Sequence, residues 1–262
     1  MASTERSGRR IHYRVSGDGP PLLLHPGIYQ IGAHWSAAGY TPALASAFTV
    51  VEIDPLAHGS SAAPVDPDEY RLDRRAADVV AVLDDIGADR AVYWGYSMGG
   101  WVGCGLALHA PDRLAGLVVG GWDPAGGIEV AYAHARRTLA LPDDVEWTTL
   151  LRESARRLPP QAAVINAGTE AAFDACHRSL EHSPDLSPAL SRLAVPLMLY
   201  TGESDPYHGG AAAVAARTGA HFAGIPDRDH AGAWYPAFEV LPRVAPFLHT
   251  ASVSMRQPIE PR

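Results

Sequence analysis

The feature that most restricts the fold of this chain is a recurrence. Short apolar runs return along it, and helical patterns fill several of the intervals. The runs are PLLLH (21–25), FTVVEID (48–54), RAVYWGY (90–96), LAGLVVGGW (114–122), VPLMLYTG (195–202) and AHFAGIP (220–226). RRIHYRVSG (9–17) alternates as a half-buried strand does. Residues 72–86 read as an amphipathic helix, with Leu72, Ala76, Val79, Val80, Leu83 and Ile86 on one face and Gly87 past its end. Residues 98–110 are helical in pattern up to Pro111, and 241–248 read as a closing helix. Continuous apolar strands alternating with helices need a mostly parallel sheet covered on both faces. The expected fold class is therefore α/β, with a mostly parallel central sheet flanked by helices.

Residues 123–191 break this rhythm. They are rich in Ala and Arg, helical in pattern and without a clear strand. This stretch reads as a small helical cap inserted over the sheet, with the core built from 1–122 and 192–250. Residues 251–262 read as a disordered tail.

Composition narrows the function classes. The chain has 262 residues, 47% of them apolar, which suffices for a large core. Its 21 Lys and Arg against 29 Asp and Glu give a net charge of −8, the wrong sign for a nucleic-acid surface. No apolar run reaches the roughly 18–20 residues of a membrane span. The polar start lacks a secretory signal. Cys104 and Cys176 have neither pairing nor metal spacing, so a cytoplasmic location is expected.

One junction carries chemistry. In WGYSMGGWVG (94–103), Ser97 stands where an apolar run gives way to a helical one, with glycines at 95, 99 and 100. Glycine inside regular structure costs roughly 0.5–1 kcal/mol against alanine. Three around one hydroxyl imply a backbone constraint. Gly95-Tyr96-Ser97-Met98-Gly99 matches G-x-S-x-G, in which the serine occupies a strained strand-to-helix turn. Such a turn lifts the hydroxyl to the N-terminus of a helix, whose free N–H groups favour developing negative charge.

With these contexts, residues 9–248 resemble the α/β-hydrolase family. His25-Pro26-Gly27-Ile28 is similar to its oxyanion loop. DPLAHGSS (54–61) is similar to its D-x-x-G-x-G-x-S loop, with Ala57 at the first glycine. TGESDP (201–206) is similar to its acid loop and DRDHAGAW (227–234) to its histidine loop. The resemblance implies a triad in the chain order Ser97, Asp205, His230. It favours Asp205, before a proline, over the nearby Glu203. It implies loop-structuring roles for His25 and His58. His109, His134, His177, His182, His221 and His249 read as ordinary solvated or half-buried residues, and Asp229 as a solvated neighbour of His230.

A serine hydroxyl needs a base within hydrogen-bond reach, and the base needs an orienting group. His230, in a loop after the last predicted strand, suits proton transfer near neutrality. The oxyanion donors would be backbone N–H groups. Met98 is one. Pro26 has none to give, so the second is Gly27 or Ile28, with Ile28 favoured. Cys104 reads as core. Trp94, Trp101, Trp122 and Trp234 read as core or pocket-lining aromatics, and Trp35 and Tyr29 as possible residues of the pocket mouth.

No G-x-G-x-x-G after a strand, G-x-x-x-x-G-K-[ST] or H-E-x-x-H is present, so neither cofactor nor metal is expected. The expected partner is a small-molecule substrate. The leading expectation is a serine hydrolase acting on an ester, thioester or lactone. The alternatives are a C–C bond hydrolase, perhydrolase or lyase on the same triad, and a small-molecule-binding signalling protein with slow turnover.

Overall fold

The six apolar runs are six neighbouring parallel strands. The computed structural model describes residues 2–165, 169–181, 183–235 and 237–253. β1 (Ala2–Arg6) and β2 (Arg9–Ser16) form an antiparallel hairpin. β3 (Pro21–His25), β4 (Thr49–Ile53), β5 (Ala91–Tyr96), β6 (Leu114–Gly120), β7 (Leu197–Gly202) and β8 (His221–Ile225) run parallel, and β2 joins them antiparallel to β4. The spatial order is β1-β2-β4-β3-β5-β6-β7-β8. β1 falls in the polar start, where sequence pattern marks no strand. Its side chains alternate only between half-buried and exposed, as suits an edge strand.

The helices, in chain order, are α1 (Ala33–Ala37), α2 (Tyr40–Leu44), α3 (Leu72–Asp85), α4 (Met98–His109), α5 (Glu129–Leu139), α6 (Trp147–Ala155), α7 (Pro159–Ala162), α8 (Glu170–Arg178), α9 (Ser187–Ser191), α10 (His208–Thr218) and α11 (Ala237–Val253). The period-two alternation of each strand deals its side chains to two cores. Leu23, Tyr93, Leu117 and Val119 pack with Val79 and Val82 of α3, Val102 of α4 and Val214 of α10. Leu22, Leu24, Val92, Trp94 and Val118 pack with Tyr40 of α2 and Val240, Val244 and Leu248 of α11. Trp35, for which the sequence leaves pocket mouth and core packing open, lies in this second core with its ring 4.9 Å from Tyr40 and 5.2 Å from Trp94. The closing helix is longer than 241–248 and includes Ala251–Val253 of the expected tail; residues 254–262 lie outside the described residues.

Between β6 and β7 the described residues contain helices and no strand. This segment meets the core at defined contacts. The Phe173 ring lies 5.3 Å from Tyr29 and 4.8 Å from His58. Cys176 Sγ accepts a hydrogen bond from Arg75 Nη2 at 2.9 Å, and Trp101 Nε1 donates to Ser183 Oγ at 2.8 Å. Within the segment, Tyr132 and Trp147 stack with centroids 4.0 Å apart. His177, read from sequence as solvated or half-buried, is 0% exposed and bonded to the Tyr132 hydroxyl; burial pushes its pKa down to about 4. His182 lies outside the described residues. No helix among the described residues is long and apolar enough to cross a membrane.

Candidate active site

The parallel register brings the relevant loops together at one end of the sheet. His25 at the end of β3 pairs with Gly95 of β5, and Tyr96 pairs with Gly120 of β6. Ser97 follows directly, with φ 55° and ψ −116°, and caps α4. Positive φ is uncommon outside glycine and marks a held, strained residue. Ser97 N–H donates to Gly120 O at 2.8 Å, and its carbonyl accepts from Trp101 N–H at 3.0 Å. The backbone is thus fixed from β6 and from the first turn of α4.

The glycines have definite steric reasons. A Cβ on Gly95 would lie 2.0 Å from Gly99 O, and one on Gly99 would lie 2.1 Å from His25 O. Any side chain at either position would push strand, helix and the β3 loop apart. A Cβ on Gly100 would stand 3.0 Å from Gly120 O, a milder conflict.

Ser97 Oγ lies 3.0 Å from His230 Nε2, and His230 Nδ1 lies 2.9 Å from Asp205 Oδ2. A carboxylate only accepts, so Nδ1 carries the proton and Nε2 accepts from the serine hydroxyl. The Asp205 side chain is fully buried, whereas that of His230 is 37% exposed, which leaves the imidazole open to water and ligand. Glu203 is exposed, and among the described residues no hydrogen bond joins its carboxylate to Ser97 or His230. Asp229 is exposed too; its Oδ1 accepts from Gly232 N–H at 2.8 Å and shapes the histidine loop. Two aromatic residues that no motif marks support the imidazole. Tyr96 OH donates to His230 O, and its ring lies 5.4 Å from the imidazole. Burial and the Asp205 charge raise the Tyr96 pKa, keeping that hydroxyl a donor. The Tyr207 ring lies 5.5 Å from His230 on an edge.

The loop after β3 settles beside Ser97. Gly27 N–H donates to Gln30 Oε1 at 2.9 Å and Tyr29 N–H to His58 Nε2 at 2.9 Å. Among the described residues none accepts from Ile28 N–H. Met98 opens α4, and the first N–H groups of a helix have no partner within it. His58 donates from Nδ1 to Leu56 O, and burial pushes its pKa down to about 3, so it is neutral at physiological pH. His25 is likewise buried and pushed down to about 3. Ala57 adopts φ 71°, which explains why a glycine suits this position in the D-x-x-G-x-G-x-S pattern. Cys104 is fully buried and its thiol pKa is raised by burial. Among the described residues no group of three or more His, Cys, Asp or Glu side chains is arranged to hold a metal.

Comparisons with known proteins bear on the family and the fold. The family described as alpha/beta hydrolase fold matches residues 20–132. The 3-oxoadipate enol-lactonase 2 of Acinetobacter baylyi is 29% identical over 171 residues, covering 61% of this chain and 62% of that enzyme. RutD of Caulobacter vibrioides, a candidate carbamate hydrolase, is 33% identical over 221 residues, covering 71% and 80%. The solved enol-lactonase of Burkholderia xenovorans has a TM-score of 0.72 at 22% identity, covering 98% of this chain and all of that one. At that identity the likeness bears on fold.

Proposed function

The chain belongs to the α/β-hydrolase family, and on that premise we propose that it is a serine hydrolase acting on a carboxylic ester, thioester or lactone. The observation that carries this reading is the unbroken chain from Ser97 Oγ through His230 to Asp205, at 3.0 and 2.9 Å, with the serine held at positive φ. The name of the 3-oxoadipate enol-lactonase relative supports the same class of carbonyl substrate.

In this mechanism Ser97 Oγ attacks the carbonyl carbon while its proton passes to His230 Nε2. Asp205 holds the proton on Nδ1 and stabilises the imidazolium that forms. The carbonyl oxygen becomes an oxyanion and receives the N–H groups of Met98 and Ile28. One such donor is typically worth about 3 kcal/mol in the transition state. Collapse breaks the bond to the leaving group, which takes the proton back from His230. Water then enters beside the exposed face of the imidazole, loses a proton to Nε2 and attacks the acyl carbon. The acid departs and Ser97 is restored. No step calls for a metal or organic cofactor. The described residues of the helical segment 123–191 pack on the loops at the carboxyl ends of the strands through Phe173 against Tyr29 and His58, where ligands of open α/β sheets bind, and serve as the cap that selects substrate. Two buried free thiols support a reducing, cytoplasmic setting.

A fluorophosphonate probe tests this. It should label the wild type at Ser97 and leave Ser97→Ala unlabelled. A panel of p-nitrophenyl esters of rising acyl length, extended with lactones and carbamates and run with EDTA, should then give turnover that survives chelation. Persistent labelling of Ser97→Ala would remove Ser97 from the mechanism. Labelling without turnover of any member would move the assignment to slow ligand perception.

A further inference from the structure

Gln30 belongs to none of the sequence motifs, yet its carboxamide reaches the loop beside the nucleophile. The hydrogen bonds of this loop distribute unevenly. Gly27 N–H is taken by Gln30 Oε1, Tyr29 N–H by His58 Nε2, and Gly32 N–H by Asp54 Oδ1 at 2.8 Å. Gln30 returns its own N–H to Gly27 O at 3.3 Å, closing a turn over 27–30. Side chains, not secondary structure, therefore decide which N–H groups are occupied. A buried N–H left without a partner is costly, so a loop settles where its acceptors are.

The Gln30 contact is at the nucleophile itself. The point that a Cβ of Gly27 would occupy is 3.1 Å from Gln30 Oε1 and 3.2 Å from Ser97 Cβ. Carboxamide and serine border the same small gap. Glycine at 27 leaves the flanking peptide planes free to turn, and the Gln30 acceptor opposes that turning on one side as His58 does on the other.

We propose that Gln30 is a positioning residue of the active site. By occupying the Gly27 N–H it holds the turn so that Ile28 presents its N–H to the carbonyl oxygen of the substrate. This rests on the serine-hydrolase reading above and names the side chain that selects between the two possible oxyanion donors. Gln30 acts through the loop and takes no part in proton transfer.

Gln30→Met keeps the length of the side chain and replaces the carboxamide acceptor with a weakly accepting thioether. On the fastest ester of the panel, its kcat should fall about 10- to 100-fold with KM within about twofold, the pattern of an interaction realised in the transition state. The inhibition constant of an aryl trifluoromethyl ketone, whose adduct with Ser97 carries an oxyanion, should rise by the same factor. The thermal midpoint should stay within about 2 °C, since the residue is half-buried in a loop. Wild-type kcat and inhibitor affinity in Gln30→Met would overturn the proposal, as would a rise in KM that alone accounts for the loss. Fluorophosphonate labelling separates the two levels. A wild type unlabelled at Ser97 overturns the hydrolase reading and this one together; a labelled wild type whose kcat and inhibitor affinity are unchanged in Gln30→Met overturns this one alone.

Discussion

Tyr207 gives its backbone N–H to Asp205 Oδ1 at 3.0 Å, the carboxylate oxygen that His230 leaves free. Both oxygens are therefore assigned, and the plane of the carboxylate is fixed. In Asp205→Asn the carboxamide must keep an oxygen toward Tyr207 N–H and so turns its NH2 toward His230 Nδ1. That favours the tautomer with the proton on Nε2, which cannot accept from Ser97. The substitution should lower kcat by roughly 10⁴ with the fold retained. Glu203→Gln, at an exposed position, should change kcat less than about threefold. Steady-state kinetics with circular dichroism on both variants decides it; the reverse ranking would move the acid to Glu203.

Gly95→Ala and Gly99→Ala should be among the most damaging single changes. Each Cβ would meet a backbone oxygen at 2.0–2.1 Å, a conflict that no side-chain rotation relieves. A loss of about 4 kcal/mol or more is expected, or insoluble protein. Gly209→Ala in α10, with nothing within 4 Å of its Cβ, should instead stabilise by roughly 0.5–1 kcal/mol. Urea unfolding of the three variants checks the ordering.

The elements that sequence reveals here are those whose side chains face a core on a fixed period. β3, β5 and β7 are buried along nearly their whole length, so their apolar runs announce them. β1 is held by pairing with β2 rather than by an apolar face, and its letters carry no such mark. The same division holds at the site. Ser97, Asp205 and His230 are legible because a turn type or a residue class surrounds each. Gln30, Tyr96 and Tyr207 act through individual contacts that no local pattern encodes: Gln30 through its hydrogen bonds with Gly27, Tyr96 through His230, and Tyr207 through its N–H to Asp205 and its ring against His230. Phe173 was legible as apolar, but only the packing shows that it faces Tyr29 and His58.

His25 and His58 are buried and neutral, each with a pKa near 3 in the fold against about 6.5 in an unfolded chain. Their folded values are depressed, so below about pH 6.5 the unfolded chain binds protons that the folded one does not. The stability they allow is complete above that pH and is lost as pH falls toward 3, by roughly 2.7 kcal/mol per pH unit for the two together. Urea midpoints between pH 7.5 and 4.5 should fall steadily, and His58→Gln should lessen the dependence by about one proton. An unchanged slope in that variant would show that His58 is protonated in the fold.

Substitutions in the helical segment should separate packing from selection. Phe173→Ala should cost about 3–5 kcal/mol, as a fully buried phenyl ring does. Leu139→Ala, at 63% exposure, should be close to neutral. Changes at the half-buried Leu150, Leu151 and Val164 should shift acyl-chain preference by factors within about 200 and leave Ser97 labelling intact. Folded variants that uniformly lose labelling would make the segment part of the catalytic machinery.

The elbow described above has its requirements at 95 and 99 and in the backbone angles of 97; none lies in the hydroxyl. It is a socket whose shape is independent of what is plugged into it. Position 97 is therefore open to exchange among unbranched side chains: cysteine would stand where the serine stands, aimed at the same imidazole. A β-branched residue would not, because positive φ brings its second Cβ substituent against the backbone. Threonine, chemically nearer to serine, is the poorer tenant, and a change of reaction at this site can begin with one side chain while the sheet, the helix and their junction stay as they are.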